Sequence, residues 1–198
     1  MKAAILHKLN APLSLRNDIE LPRLRPGQVL VKLAYSGVCH SQLMEARGRR
    51  GDDAYLPHLL GHEGSGVVVQ VGPEVVKVSS GDSIILSWIK GSGIEAGGVQ
   101  YICPDGILNG GGVTTFNDYA VVSENRCVKV PEGLPMDVAA LLGCAVLTGS
   151  GIITNTVRPT RGSSIAIFGL GGIGLSALMG LALFDCEKII AVDISNNR

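Results

Sequence analysis

Three glycines in the pattern Gly169-x-Gly171-x-x-Gly174 stand between two short apolar runs, Ser164–Phe168 and Lys188–Val192, and restrict the fold more than any other feature of the chain. An apolar run, a glycine turn, an apolar helix reaching Phe184 and a second apolar run make a βαβ unit. Gly169 suits the tight turn. Gly171 lets the backbone approach a pyrophosphate at the positive helix N-terminus, with Gly172 in the same loop, and Gly174 lets helix and strand pack closely. Asp193 ends the second run, where a carboxylate accepts hydrogen bonds from ribose hydroxyls and repels a 2′-phosphate, which favours NAD over NADP. A chain with 27 glycines in 198 residues generates this pattern by chance, so its context carries the reading. A βαβ turn that binds nothing is the bland alternative.

The region before Pro131 has a different texture. Residues 2–7, 29–36, 66–71, 83–87, 118–122 and 127–130 are β-rich and bounded by Gly, Pro, Asn or Asp. They predict an irregular antiparallel barrel or sandwich, interrupted by a short helix over 41–46. Residues 90–115 are glycine-rich without periodicity and read as a long loop. Residues 135–142 and 146–155 read as short helices. The chain thus divides into a mostly β domain over 1–130 and an incomplete α/β domain over 131–198, which includes the helical connector.

Composition excludes several classes of partner. Lys+Arg and Asp+Glu number 17 each, and a net charge of zero argues against nucleic acid or an acidic membrane face. The five cysteines, Cys39, Cys103, Cys127, Cys144 and Cys186, form no CxxC pair, so a disulfide framework is not expected and a reducing compartment is. Lys8 and Asn10 interrupt any signal-peptide core, and the apolar stretch 173–184 is too short to span a bilayer. The expectation is a cytoplasmic protein.

A second motif is Gly61-His62-Glu63-x-x-Gly66, with Cys39 upstream and Cys144 downstream. Two thiols and an imidazole are the donors zinc prefers, and a catalytic zinc keeps three protein ligands and one open position. Spacing alone does not join residues this far apart. Buried structural cysteines and a core histidine explain the same residues.

Together these segments resemble the zinc-containing medium-chain alcohol dehydrogenases. Residues 61–75 match the signature of that family, Gly37-Val38-Cys39-His40-Ser41 is similar to its first-ligand segment, and Gly143-Cys144 with Thr148-Gly149 to its third. The glycine loop and Asp193 follow in the family's order. The resemblance implies a GroES-like irregular β-barrel followed by the start of a Rossmann domain. It implies Cys39, His62 and Cys144 as ligands of a catalytic zinc, with Glu63 beside the metal. Ser41 would take the alcohol proton, His40 contact the pyrophosphate, and Thr148 and Ile173 pack on the nicotinamide. Trp88 would form a wall of the substrate pocket, although Trp88 and Ile173 also suit plain core packing.

Three positions depart from the family. Gln42 stands where a carboxylate ordinarily orients the zinc-bound imidazole. Met44 replaces a proton-carrying histidine. After Trp88 there is a single cysteine, Cys103, instead of four, so no structural zinc is expected. Family members are also much longer, and a Rossmann sheet has six strands where this chain supplies two. The expectation is a truncated form with little turnover by itself. The activity implied for the intact enzyme is hydride transfer between an alcohol, or an aldehyde or ketone in reverse, and NAD, in a homo-oligomer. A zinc-free quinone or enoyl reductase and a non-enzymatic zinc-binding or assembly module are the competing readings.

Overall fold

The computed structural model describes residues 1–195, and the chain forms two compact units, residues 1–143 and a second beginning at Cys144. In the first unit the elements are β1 (Ala3–Leu6), β2 (Ser14–Arg16), β3 (Gln28–Ser36), α1 (His40–Ala46), β4 (His58–Leu59) and β5 (Glu63–Val71). β6 (Ser83–Ser87), β7 (Val99–Cys103), β8 (Gly106–Gly111), β9 (Tyr119–Ser123), β10 (Cys127–Lys129) and α2 (Met136–Leu141) follow. One sheet runs β2-β1-β4-β8-β7 and the other β10-β6-β5-β3-β9. The unit is mostly β, as the sequence predicts, but it consists of two irregular sheets with open edges and not of one closed barrel.

Strand periodicity explains the two cores. In β9 the side chains of Ala120 and Val122 enter one cluster, with Val29, Val31, Val68, Ile84 and Leu86, while Val121 enters the other, with Ile5, Leu59, Tyr101 and Leu108. Alternate residues of one strand thus feed both cores. The segment 90–115 is not the irregular loop expected from its glycines, because it contains the hairpin β7–β8. β7 alternates buried and exposed side chains over its five residues. β8 carries glycine at positions 106, 110 and 111, which hides its alternation, and backbone pairing holds it instead. β5 likewise begins before the predicted residue 66. Gly64 and Gly66 have low strand propensity, but a Cβ there would meet the Tyr35 carbonyl at 2.9 Å and the Lys32 carbonyl at 2.4 Å. Close approach of β3 selects glycine at both positions.

Glu124 ties the loop before β7 to this unit. It has no exposed surface, and its carboxylate accepts hydrogen bonds from the backbone N–H groups of Val76, Lys77 and Ile94, each at 2.9 Å. Burial pushes this carboxyl up, but the three N–H donors and the Lys77 charge outweigh it and hold the group below its ordinary range. A carboxyl depressed in the folded state stabilises the fold above its unfolded pKa, and that contribution is lost as pH falls through the folded value. Glu124→Gln removes the charge and replaces one of the two acceptor oxygens, Oε2 serving Val76 and Lys77 and Oε1 serving Ile94, and is expected to cost about 3 kcal/mol at neutral pH. Thermal melts across pH check this: the gap between native chain and variant is expected to shrink below the ordinary glutamate range. A gap that does not change with pH would contradict the assignment.

The second unit begins with α3 (Ala145–Gly151), which continues through the π-helical turn Ile152–Val157. Then come β11 (Ser164–Phe168), α4 (Gly172–Leu181) and β12 (Lys188–Val192). β11 and β12 are parallel, in register from Ser164↔Lys188 to Phe168↔Val192, so the predicted βαβ unit forms. Gly149 lets α3 pack on α4, since a Cβ there would lie 2.2 Å from the Ile173 carbonyl. Ile153, Ala177 and Leu181 make the small core. Neither strand is fully buried: β11 alternates exposed and half-buried side chains, and β12 is exposed at every position. Parallel strands are buried when helices cover both faces, and α4 packs against α3 and β11.

Candidate functional site

Antiparallel pairing brings the metal-signature segments together in the first unit. The C-terminal end of β3 lies beside the N-terminal start of β5, paired through Ser36↔Gly64, with Gly37 N–H donating to the Glu63 carbonyl at 3.1 Å. Cys39 and His62 therefore emerge at the same sheet end, Cys39 as the residue before α1 and His62 as the residue before β5. β6 adds a third segment, because Ser87 pairs with Glu63 and its Oγ donates to the Gly143 carbonyl at 2.8 Å. Trp88 leaves the same end, half-exposed.

Glu63 explains why glycines flank the cysteines. Its side chain is 2% exposed. A Cβ at Gly37 would lie 2.6 Å from the Glu63 carboxyl, and one at Gly143 would lie 2.9 Å from Glu63 Cβ and 2.3 Å from the Leu86 carbonyl. The carboxyl thus sits in room that only these glycines leave. Cys144 opens the second unit and is joined to Gly143 by one peptide bond, about 3.8 Å between Cα atoms. Gly37 and Gly143 are the positions sequence reasoning did not assign a role. Their adjacency to cysteine was the available signal.

Around His62 the sequence departure at position 42 takes physical form. Gln42 is 7% exposed, and its terminal amide lies against His62 Nδ1, with Gln42 Nε2 at 2.5 Å and Oε1 buried without a partner. Turning the isosteric amide end for end resolves both features. The ring N–H at Nδ1 then donates to Oε1, and Nε2 becomes the lone-pair nitrogen. Burial, with the Arg50 charge second, holds the His62 ring below its ordinary pKa, so it is neutral at pH 7. A neutral, oriented imidazole and a thiol at one sheet end suit a soft divalent metal. Ser41 Oγ, two residues after Cys39, is buried and finds no hydrogen-bond partner among the described residues. His40, the first residue of α1, is exposed.

In the second unit the glycine loop is closely packed against its own backbone. Gly169 adopts φ +91°, a conformation that favours glycine. At Gly174 a Cβ would lie 1.8 Å from the Gly169 carbonyl. Gly171 precedes α4 in extended geometry, and Gly172 is its first residue. Asp193 follows β12, where its Oδ2 accepts the Leu170 N–H at 2.6 Å and its Oδ1 the Ser195 N–H at 2.8 Å. The acid singled out for ribose binding therefore also braces the glycine loop, a role the sequence did not reveal. Thr148 lies on α3 and Ile173 on α4, half-exposed.

Comparison with known proteins identifies the relatives of this chain. Residues 25–132 match the family model of the alcohol dehydrogenase GroES-like domain. The chain is 34% identical over its whole length to the S-(hydroxymethyl)glutathione dehydrogenase of Paracoccus denitrificans. Among solved structures it is similar to an alcohol dehydrogenase zinc-binding domain protein from Burkholderia ambifaria, with TM-score 0.87 and 30% identity over 99% of this chain and 59% of that one. It is also similar to benzyl alcohol dehydrogenase from Acinetobacter calcoaceticus, with TM-score 0.85 at the same identity and coverage. The chain spans 59% of the length of the Paracoccus relative. Among the described residues no helix is long and apolar enough to cross a membrane.

Proposed function

The chain belongs to the zinc-type medium-chain alcohol dehydrogenase family, with its GroES-like domain, and on that premise we propose that the intact protein is an NAD-dependent alcohol dehydrogenase. Cys39, His62 and Cys144 would hold a catalytic zinc, with Glu63 beside it. The observation that carries this reading is the neutral His62 ring, held by Gln42 at the sheet end from which Cys39 emerges. When bound, zinc supplies a Lewis acid toward the alcohol oxygen and NAD supplies the hydride acceptor.

The chain's own residues do the rest. Ser41 Oγ accepts the alcohol proton. As Ser41 Oγ takes that proton it would release its own hydroxyl proton toward the cofactor when bound, since Met44 carries none. Trp88 walls the pocket. Gly169, Gly171, Gly172 and Gly174 admit the pyrophosphate at the start of α4, with His40 as a further contact. Thr148 and Ile173 face the nicotinamide, and Asp193 the adenosine ribose. The substrate class is a small alcohol or the corresponding aldehyde. The loop after Trp88 has Cys103 alone and binds no structural zinc. We read the protein as cytoplasmic and homo-oligomeric.

Metal analysis tests the centre. Purified protein is expected to retain one tightly held zinc per chain. Cys39→Ala and Cys144→Ala are expected to lose most of it, and Cys103→Ala to keep it. Zinc that survives Cys39→Ala but leaves with Cys103→Ala would overturn the assignment.

Cofactor choice tests Asp193. The intact enzyme is expected to prefer NAD over NADP, and Asp193→Ala to reduce that ratio of kcat/KM. Because Asp193 also holds the Leu170 N–H, the variant is expected to weaken both cofactors, so the ratio is the informative readout. A native preference for NADP would refute the role.

A further inference from the structure

Four residues before His62 the chain carries a second histidine, His58 in β4, which is 6% exposed. Its Nδ1 lies 2.8 Å from the Leu59 carbonyl, a contact the ring can make only by donating an N–H. That bond fixes the ring and aims Nε2 at two carboxylates, with Asp53 Oδ2 at 2.9 Å and Glu45 Oε1 at 3.9 Å. Asp53 is oriented in turn, since its Oδ1 accepts the Tyr55 N–H at 2.9 Å. Burial raises the Asp53 carboxyl, but the Tyr55 N–H and His58 outweigh it, so it is a carboxylate at neutral pH.

The three donor atoms lie within 4.8 Å of one another. A tetrahedral zinc with bonds of about 2.0–2.1 Å holds its ligand atoms roughly 3.3 Å apart. The separations from Nε2, 2.9 and 3.9 Å, bracket that value. A metal-binding histidine ordinarily donates its other N–H to a backbone carbonyl or a carboxylate, which fixes the nitrogen that binds. Leu59 enforces that state here. The Asp53 and Glu45 side chains are 15% and 27% exposed, so the buried ring is reached from solvent past them.

We propose that Glu45, Asp53 and His58 form a second divalent-cation site, of zinc-like preference, separate from the Cys39/His62/Cys144 set and independent of the assigned reaction. One imidazole and two carboxylates bind zinc more weakly than a thiolate set, so the site fills only when metal is supplied. Its place in the fold gives it a structural role. Glu45 lies in the last turn of α1, which starts next to Cys39, and β4 runs toward Gly61-His62. A cation here ties together the two segments that carry Cys39 and His62.

An ion pair between His58 and Asp53 gives the same geometry without metal, so the test counts ions. Metal-stripped 198-residue chain is titrated with Co²⁺ and followed by absorbance. The cysteine set gives a thiolate-to-cobalt charge-transfer band. The second equivalent is expected to add d–d absorbance without that band, and zinc in excess to raise the melting temperature. Asp53→Asn, His58→Gln and Glu45→Gln are each expected to weaken the second equivalent at least about tenfold and to leave the charge-transfer band intact, which also reports that each variant folds. If His58→Gln does not fold, Glu45→Gln at the exposed end of the site decides. A native chain that takes up no equivalent free of the thiolate band overturns the proposal. So does a second equivalent whose affinity all folded variants retain. Absence of the thiolate band would defeat the cysteine assignment instead.

Discussion

In the intact dehydrogenase, Ser41→Ala is expected to lower kcat by about 10²- to 10⁴-fold, the range of a lost general base, with zinc content unchanged. Ser41 Oγ is buried and has no hydrogen-bond partner among the described residues, so it is available to a bound alcohol. It lies two residues beyond Cys39, on the first turn of α1. Hydride leaves the alcohol carbon readily only after the oxygen gives up its proton, so loss of the acceptor slows the chemical step and not binding. The deficit is therefore expected in kcat more than in KM. Met44 and Gln42 lie on the same helix and neither accepts a proton at neutral pH, so neither substitutes for Ser41. Ser41→Thr keeps a hydroxyl and is expected to recover most of the rate. Steady-state and single-turnover oxidation of a short primary alcohol would measure this. A loss below about tenfold in Ser41→Ala, or a loss as large in Ser41→Thr, would remove Ser41 from the proton path.

The chemistry of this chain is more legible in its sequence than its architecture is. Cys39, His62, Glu63 and the Gly169–Gly174 loop are short motifs whose residue types suit the metal and dinucleotide proposed for them, and glycine records close approach directly. At positions 37, 143 and 174 a side chain would overlap Glu63, Leu86 or Gly169. Side-chain alternation marks β3, where apolar residues repeat every second position, while β6 and β11 read as short apolar runs. It fails for β8, where glycine occupies half the strand, and for β4, which has two residues and owes its existence to pairing with β1 and β8. The role of Asp193 as a brace was hidden for another reason. Its partner, the Leu170 N–H, is a backbone group 23 residues away, and every non-proline residue has one. Gln42 lies between these cases. The sequence marked it as a departure, but the orphaned amide oxygen that turns it toward His62 is visible only in three dimensions.

Two neighbouring glycines of one loop are expected to respond oppositely to the same small change. At Gly174 an added methyl would lie 1.8 Å from the Gly169 carbonyl oxygen and 2.9 Å from its carbon. Both are backbone atoms, and Gly169 itself holds φ +91° and donates its N–H to the Val192 carbonyl at 2.7 Å. Neither can yield without shifting α4 or breaking the tie to β12. Gly174→Ala is therefore expected to destabilise the second unit by about 3 kcal/mol, the upper range of overpacking. NAD affinity in the intact enzyme should fall more than tenfold, because the same shift would move the N–H groups proposed to face the pyrophosphate. At Gly172 an added methyl would meet only Ala145 Cβ, at an ordinary 3.7 Å, and the residue is the first of α4. Gly172→Ala is expected to leave stability unchanged or to raise it by a few tenths of a kcal/mol, since alanine orders more readily in a helix than glycine does. Differential scanning calorimetry of the two variants, with zinc content as a check on the first unit, compares them under one set of conditions. Zinc should stay bound in both if Gly174→Ala acts locally. Equal melting temperatures for the two variants would show that the loop relaxes freely and that Gly174 is not held by close packing.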